Sequence, residues 1–371
     1  RKLARFEAVH GLEERSRPWG RVQAQMHAGY MTLQIHQGSD TWRPRHMSHL
    51  GCRTFATDTH AGNVRPLMSR GMNVTFYGVR GSTPCDDPAL ARYGGNTSCV
   101  VIEIPGADPI ILDLGTGLRT YGDSLVASGN AAGWRGSVLL THLHWDHVQG
   151  FPFFKPLHQL GSEVDIYGPD HGEAPLSEMV GRFMGPPYFP ITPAELGASV
   201  RFHDVSPGSF RIGDAVVTAL AVRHTGPTLG FRVDCDDVSV VYMPDHGPGC
   251  SSLDDDDFVP QDVIDLCNGA DLLIHDAQHT LDEYPEKRHW GHSSVNYAVK
   301  VALSGCVRSL ALFHHDPMHD DAEIDSIEQY ASGIARSDGS GLSVFAAREG
   351  LELKIEPTLL DLTPQVERAD R

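Results

Sequence analysis

The stretch Ser137-Val138-Leu139-Leu140-Thr141-His142-Leu143-His144-Trp145-Asp146-His147-Val148-Gln149-Gly150 decides how this chain is read. A β-branched and leucine-rich run, residues 137–142, leads into three histidines and an aspartate within six positions. Side chains alternate along extended chain, so His142 and His144 project the same way and can grip one ion. Asp146 and His147 lie past a bend, where the chain turns toward a helix, and can reach a second ion. Gly150 suits a tight backbone approach near that helix start. Imidazole and carboxylate at this density form a strong metal-binding signal, even in a chain with 21 histidines.

A metal site needs closure from elsewhere in the chain, and strand ends supply it. His224 follows the run Ala215–Arg223, Asp245 follows Val238–Met243, and His314 follows Leu310–Phe313. Each places a metal-binding side chain where a buried strand emerges, which is where sheet proteins put their sites.

Working outward, strand-like runs separated by glycine turns occupy 98–104, 109–113, 137–142, 163–167, 215–223, 229–233 and 238–243. A further alternating run starts at Met72, in Met72-Asn73-Val74-Thr75-Phe76-Tyr77-Gly78-Val79. Helical patterns cover 260–268, 294–305 and 321–336, the last opening with acidic residues suited to a helix N-terminus. Two series of strands, each followed by helices, predict an α/β fold of two sheets packed face to face with helices outside.

Here the residues resemble a known family. The series His142-x-His144-x-Asp146-His147, then His224, Asp245 and His314, is similar to the ligand series of the metallo-β-lactamase superfamily. Upstream, Gly78-Val79-Arg80-Gly81-Ser82-Thr83-Pro84, Tyr93-Gly94-Gly95-Asn96-Thr97-Ser98-Cys99 and Ile111-Leu112-Asp113-Leu114-Gly115-Thr116-Gly117 resemble its ribonuclease Z and cyclic phosphodiesterase branch, the phosphonate-utilisation type included. The likeness runs over about residues 72–355. It implies an αββα four-layer sandwich holding two divalent ions, with His142, His144 and His224 on the first and Asp146, His147 and His314 on the second. Asp245 would bridge them. This donor mix suits Zn²⁺, with Mn²⁺ or Fe²⁺ fitting the same geometry. His314 is chosen over His315 by its place in the motif; His315 or Asp316 would then orient a ligand, and Asp113 would do similar work beneath the site.

The implied chemistry is hydrolysis. Paired ions acidify a bridging water and clamp the charge of a phosphorane-like transition state, and Asp146 is placed to take the water's proton. His292, in Trp290-Gly291-His292-Ser293-Ser294, is similar to the glycine-histidine-serine motif of ribonuclease Z and would serve the leaving oxygen. His224 and Asp245 are 21 positions apart, with no room for the long glycine- and proline-rich arm that bacterial tRNA-processing members insert there. A small phosphodiester or cyclic nucleotide is therefore the expected substrate. The alternatives are a ribonuclease Z-like endonuclease, a lactonase or other carboxyl-ester hydrolase, and a metal-binding protein without catalysis. Lactonases of this superfamily often place a tyrosine just past the bridging aspartate, where this chain reads His246-Gly247-Pro248-Gly249.

Composition limits the remaining choices. The formal charge is −18, but residues 1–71 carry +6, which leaves −24 on the rest. A body that acidic repels long phosphate backbones outside a local metal field, so long nucleic acid is not the expected partner. The seven cysteines form no CxxC pair, which argues against a disulfide framework or a cysteine zinc knuckle. No run approaches the roughly 18 apolar residues of a membrane span, and no secretory pattern is seen, so a cytoplasmic protein without membrane contact is expected. Residues 1–71 lack sustained periodicity and read as a disordered or mis-assigned extension, or as an arm packing on the domain or a neighbour. Residues 72–357 read as the hydrolase domain and 358–371 as a tail. Asp254–Asp257 lacks the spaced ligands of a calcium loop and reads as solvated. The apolar, proline-rich stretches 151–160 and 184–192 would either wall the pocket or form a homodimer contact.

Overall fold

The computed structural model describes residues 70–248 and 258–357. The readings of the N-terminal segment up to residue 69, of Asp254–Asp257 and of the tail 358–371 lie outside the described residues.

Two seven-stranded sheets form the frame. The first contains β1 (Met72–Gly78), β2 (Cys99–Glu103), β3 (Ile110–Leu112), β4 (Arg135–Leu139), β5 (Glu163–Pro169), β6 (Ser199–Val205) and β14 (Glu352–Ile355), in the order β14-β1-β2-β3-β4-β5-β6. The second contains β7 (Gly208–Ile212), β8 (Ala215–Ala221), β9 (Leu229–Cys235), β10 (Val238–Met243), β11 (Leu272–Asp276), β12 (Ser309–Phe313) and β13 (Ser343–Ala346), and runs in reverse chain order. Pairing is parallel from β3 to β6 and from β10 to β13, and antiparallel elsewhere.

The period of two along each strand builds the layers. Val100 and Ile102 of β2 face the space between the sheets, where they join Phe76, Leu112, Phe231, Val240, Ile274 and Phe313 in one buried cluster. Val101, one residue out of phase, faces the other way and packs with Leu118 and Tyr121 of α1 (Gly117–Ala127). On the second sheet Ala311 and Phe313 point inward. Leu310 and Leu312 point outward, to a cluster shared with α4 (Gln261–Cys267), α6 (Val295–Ser304) and α7 (Asp321–Asp338). The result is the expected helix–sheet–sheet–helix sandwich.

Local chemistry explains the helix starts. The Ser294 hydroxyl accepts from the Tyr297 N–H and caps α6. Asp320 and Glu323 form a reciprocal capping box on α7. The short α2 (Trp145–Val148) and α3 (Leu176–Phe183) flank the mouth of the site, and α5 (Tyr284–Lys287) precedes Gly291. Three helices, α1, α3 and the short α5, gave no pattern in the sequence. Gly122 lies inside α1 because a Cβ there would press on Phe154, so packing outweighs the low helix propensity of glycine.

Candidate metal centre

Strand ends deliver the site. Asp113 directly follows β3, and His142 and His144 lie three and five residues beyond β4. His224 comes three residues after β8, Asp245 two after β10, and His314 directly after β12. The two histidines of the first pair sit in extended loop rather than on the strand itself, and Asp146 and His147 then fall on α2. Gly150 permits this turn, since a Cβ there would strike the carbonyl oxygen of Gly115.

The seven residues singled out in the sequence converge. One ligand atom from each of His142, His144, His224 and Asp245 lies within 4.8 Å of the others, and the same holds for Asp146, His147 and His314. Asp245 lies between the two groups. Its Oδ2 is 3.6 Å from His142 Nε2 and 3.4 Å from His224 Nε2. Its Oδ1 is 3.0 Å from His147 Nε2 and 3.2 Å from His314 Nε2. On the far side of the second group, Asp146 Oδ2 is 3.2 Å from His147 Nε2 and 3.1 Å from His314 Nε2. His144 turns Nδ1 inward, 3.1 Å from His224 Nε2, and is the exposed member at the mouth.

These atoms fit metal ions better than they fit one another. Among the described residues, His142 Nε2, His147 Nε2 and Asp245 Oδ1 are buried without a hydrogen-bond partner. Such groups cost about 1–3 kcal/mol each when left unsatisfied, and a fold that collects three around one carboxylate is arranged for a cation. Electrostatics agree. Burial would raise the Asp245 carboxyl, but His147, His314 and His142 hold it well below the usual range. Asp146 is likewise depressed against its own burial, chiefly by His147. Burial also disfavours charge on His147, yet Asp245, Asp146 and Asp113 raise it well above an ordinary imidazole.

For His147, His224 and His142 the second ring nitrogen is tied down, which fixes how each of these three presents itself. His147 Nδ1 meets Asp113 Oδ2 at 2.7 Å, and the His224 Nδ1–H reaches the Gly291 carbonyl at 2.8 Å. His142 Nδ1 lies 3.1 Å from the Thr141 hydroxyl. Asp113 also accepts from the Thr141 amide at 2.7 Å, from the Thr141 hydroxyl and from the Tyr242 hydroxyl at 2.9 Å. Asp113 and His314 both have φ 60°, in the left-handed region that non-glycine residues seldom occupy. The upstream glycine motifs now have roles. The Ser82 amide donates to Asp146 Oδ2 at 2.8 Å, and a Cβ on Gly81 would run into the His314 ring.

His292 enters from the loop after α5 and stacks on His314, ring centroids 4.9 Å apart. Burial would lower its pKa, but Asp276, with Oδ2 at 2.8 Å from Nδ1, raises it to about 9. Asp276 thus favours the protonated ring and holds it through Nδ1. Asp276 escaped the sequence reading, although it ends a buried strand just as Asp245 and His314 nearly do. Thr141 and Tyr242 escaped as well, because nothing local marks an acceptor 28 or 129 residues away. His315, the alternative to His314, turns away and bonds the Ala347 carbonyl at 2.8 Å. Asp316 pairs with Lys287 at 2.9 Å, outside the cluster.

A two-sheet sandwich with histidines and aspartates converging at its strand ends defines a metal-dependent hydrolase of metallo-β-lactamase fold. A sequence model of the beta-lactamase superfamily domain matches residues 128–315, and the chain belongs to that family. Over 339 residues it is 24% identical to a ribonuclease Z of Synechococcus sp. (strain CC9311), covering 77% of this chain and 100% of that one. The metallo-beta-lactamase fold protein YhfI of Bacillus subtilis superposes with a TM-score of 0.57 at 19% identity, covering 77% of this chain and 99% of YhfI. A diphosphatase of the PhnP family gives 0.54 at 18% identity, covering 77% and 98%. The ribonuclease Z relative carries a name from the branch that the motifs resemble, and the two structures share the fold.

Among the described residues, no helix is long and apolar enough to cross a membrane.

Proposed function

We propose that this chain hydrolyses small phosphodiesters, cyclic nucleotides among them, at a pair of divalent ions of which zinc is the best match to the donors. One observation carries the reading: the two oxygens of Asp245 face two separate groups of histidines, as a carboxylate shared by two ions can. His142, His144 and His224 would hold one ion, Asp146, His147 and His314 the other, and Asp245 both. Ions so held would polarise a phosphoryl oxygen and lower the pKa of water between them.

The protein's own groups do the rest. Asp146, fixed by the Ser82 amide, is placed to accept a proton from an attacking water. His292, held at Nδ1 by Asp276, which favours its protonated form, is placed to donate from Nε2 to a leaving alkoxide or ribose oxygen. The mouth is lined by Ser82, Leu143, His144, Trp145, Asp146, Asp245 and His292, a cavity of about 350 Å³ that suits a phosphoryl group and its immediate substituents.

Two features favour a small substrate over precursor tRNA. Between His224 and Asp245 there are only β9, β10 and their turns, and the sequence outside residues 1–71 is strongly acidic. The ribonuclease Z name of the curated relative supports RNA as the second reading. The lactonase alternative gains nothing, since Tyr242, the tyrosine nearest Asp245 in sequence, is buried on Asp113. Assaying bis-p-nitrophenyl phosphate, 2′,3′- and 3′,5′-cyclic nucleotides, a precursor tRNA and a lactone panel tests the proposal. Turnover of diesters and cyclic nucleotides supports it; turnover of lactones alone, or of tRNA alone, overturns it.

A further inference from the structure

Beside the metal mouth lies a second cavity, of about 650 Å³, whose lining includes Trp145, Phe153, Phe183, Tyr188, Phe189 and Arg119. Trp145 belongs to both cavities, because the loop that presents His144 and Asp146 to the ions points this ring outward between them. The ring is 59% exposed, Phe153 54% and Tyr188 74%. Two of the three are backed by other rings: Trp145 meets Phe183 at 6.1 Å between centroids, Phe153 meets Phe189 edge-on at 5.9 Å, and Phe183 and Phe189 pack on the core under the first sheet. Rigid aromatic faces left bare in water are costly unless a ligand covers them. Gln149 and Arg119 add amide and guanidinium donors to the lining.

We infer that this cleft is the subsite for the nucleobase of the substrate, seated while its phosphate occupies the metal mouth. Three features single out a base as the occupant. The cleft adjoins the mouth, and Trp145 lines both. Its walls are aromatic, and stacking serves any base, since each has a π-face. Its polar side chains can meet a base edge, Arg119 as a donor and Gln149 as donor or acceptor. The inference rests on the phosphodiesterase reading and makes it narrower: nucleotide esters, rather than simple alkyl diesters.

The test is calorimetric titration of the zinc-loaded full chain with AMP and with ribose 5-phosphate, which share the phosphate and sugar and differ in the base. AMP is expected to bind more tightly by about five- to a hundredfold, the range for one stacked base. Trp145→Ala should bring AMP down to the affinity of ribose 5-phosphate, with zinc content unchanged, and Trp145→Phe should keep most of the preference. Tyr188→Ala, outside the ligand motif, should reduce the preference as well and keeps the test decisive if Trp145→Ala loses zinc. Equal binding of the two ligands by the unaltered protein overturns the subsite. So does an unchanged preference in both alanine variants, or dissociation of a dimer by those variants without any base preference, which would make the cleft a contact between copies. If AMP is preferred but no diester is hydrolysed, the subsite stands and the proposed activity fails.

Discussion

Replacing Asp113 by asparagine removes one negative charge from beneath the metal centre while keeping the shape of the side chain. In the structure Asp113 Oδ2 meets His147 Nδ1 at 2.7 Å and the Tyr242 hydroxyl at 2.9 Å, and Oδ1 accepts from the Thr141 amide at 2.7 Å. An asparagine that keeps its oxygen on the Thr141 amide turns its NH₂ toward Tyr242 and His147. Tyr242 can rotate its hydroxyl hydrogen away, but the Nδ1–H of His147 then faces another donor. A hydrogen bond to a charged group is worth about 1.5–3 kcal/mol, and a buried donor left unpaired costs about 1–3 kcal/mol more. The sum, about 2.5–6 kcal/mol, brackets the usual cost of breaking a buried ion pair, about 3–5 kcal/mol. Domains are stable by only about 5–15 kcal/mol, so the variant should fold but melt early. Because Asp113 orients His147, affinity for the second ion should fall by about 10- to 100-fold. Urea unfolding of the metal-free protein and zinc titration against a competing chelator measure the two effects separately. Wild-type values in both would show that Asp113 does not support His147, and would remove the account of the second group given above.

Asp245→Ala should lose metal and activity together, whereas His292→Ala should keep its metal and lose about 10²- to 10⁴-fold in rate; elemental analysis beside turnover checks both. Asp276→Asn should also keep metal content but lower kcat with little change in KM, since it reaches the reacting atoms through His292 while it also accepts from the His246 and Gln278 amides; an unchanged kcat would show that the contact is structural. Gly150→Ala drives a methyl group into the Gly115 carbonyl. It should destabilise by about 1–3 kcal/mol, read by chemical denaturation. By contrast, Asp236→Ala removes the ion pair with Arg70, made at 3.1 Å between partly exposed side chains. That should change stability by no more than about 1 kcal/mol.

Much of this protein is written locally. The alternation of Val100, Val101 and Ile102 assigns β2 to both faces of its sheet. The dense donors from His142 to His147 announce a metal site, because imidazole and carboxylate chemistry needs no context to be recognised. Capping residues such as Asp320 mark helix starts for the same reason: their bonds reach only three residues along the chain. Tertiary structure decided what depends on distant segments meeting. The parallel register of β10, β11 and β12 brings Asp245, Asp276 and His314 to one rim, and so makes Asp276 the partner of His292. The left-handed backbone at His314 swings that residue, and not His315, into the cluster. The aromatic cleft draws its walls from α2, α3 and the loops beside them, two of which the sequence marked as apolar and left open between a pocket wall and a homodimer contact. Chemistry carried by neighbours in the chain can be read from the chain; chemistry carried by neighbours in space waits on the pairing of strands.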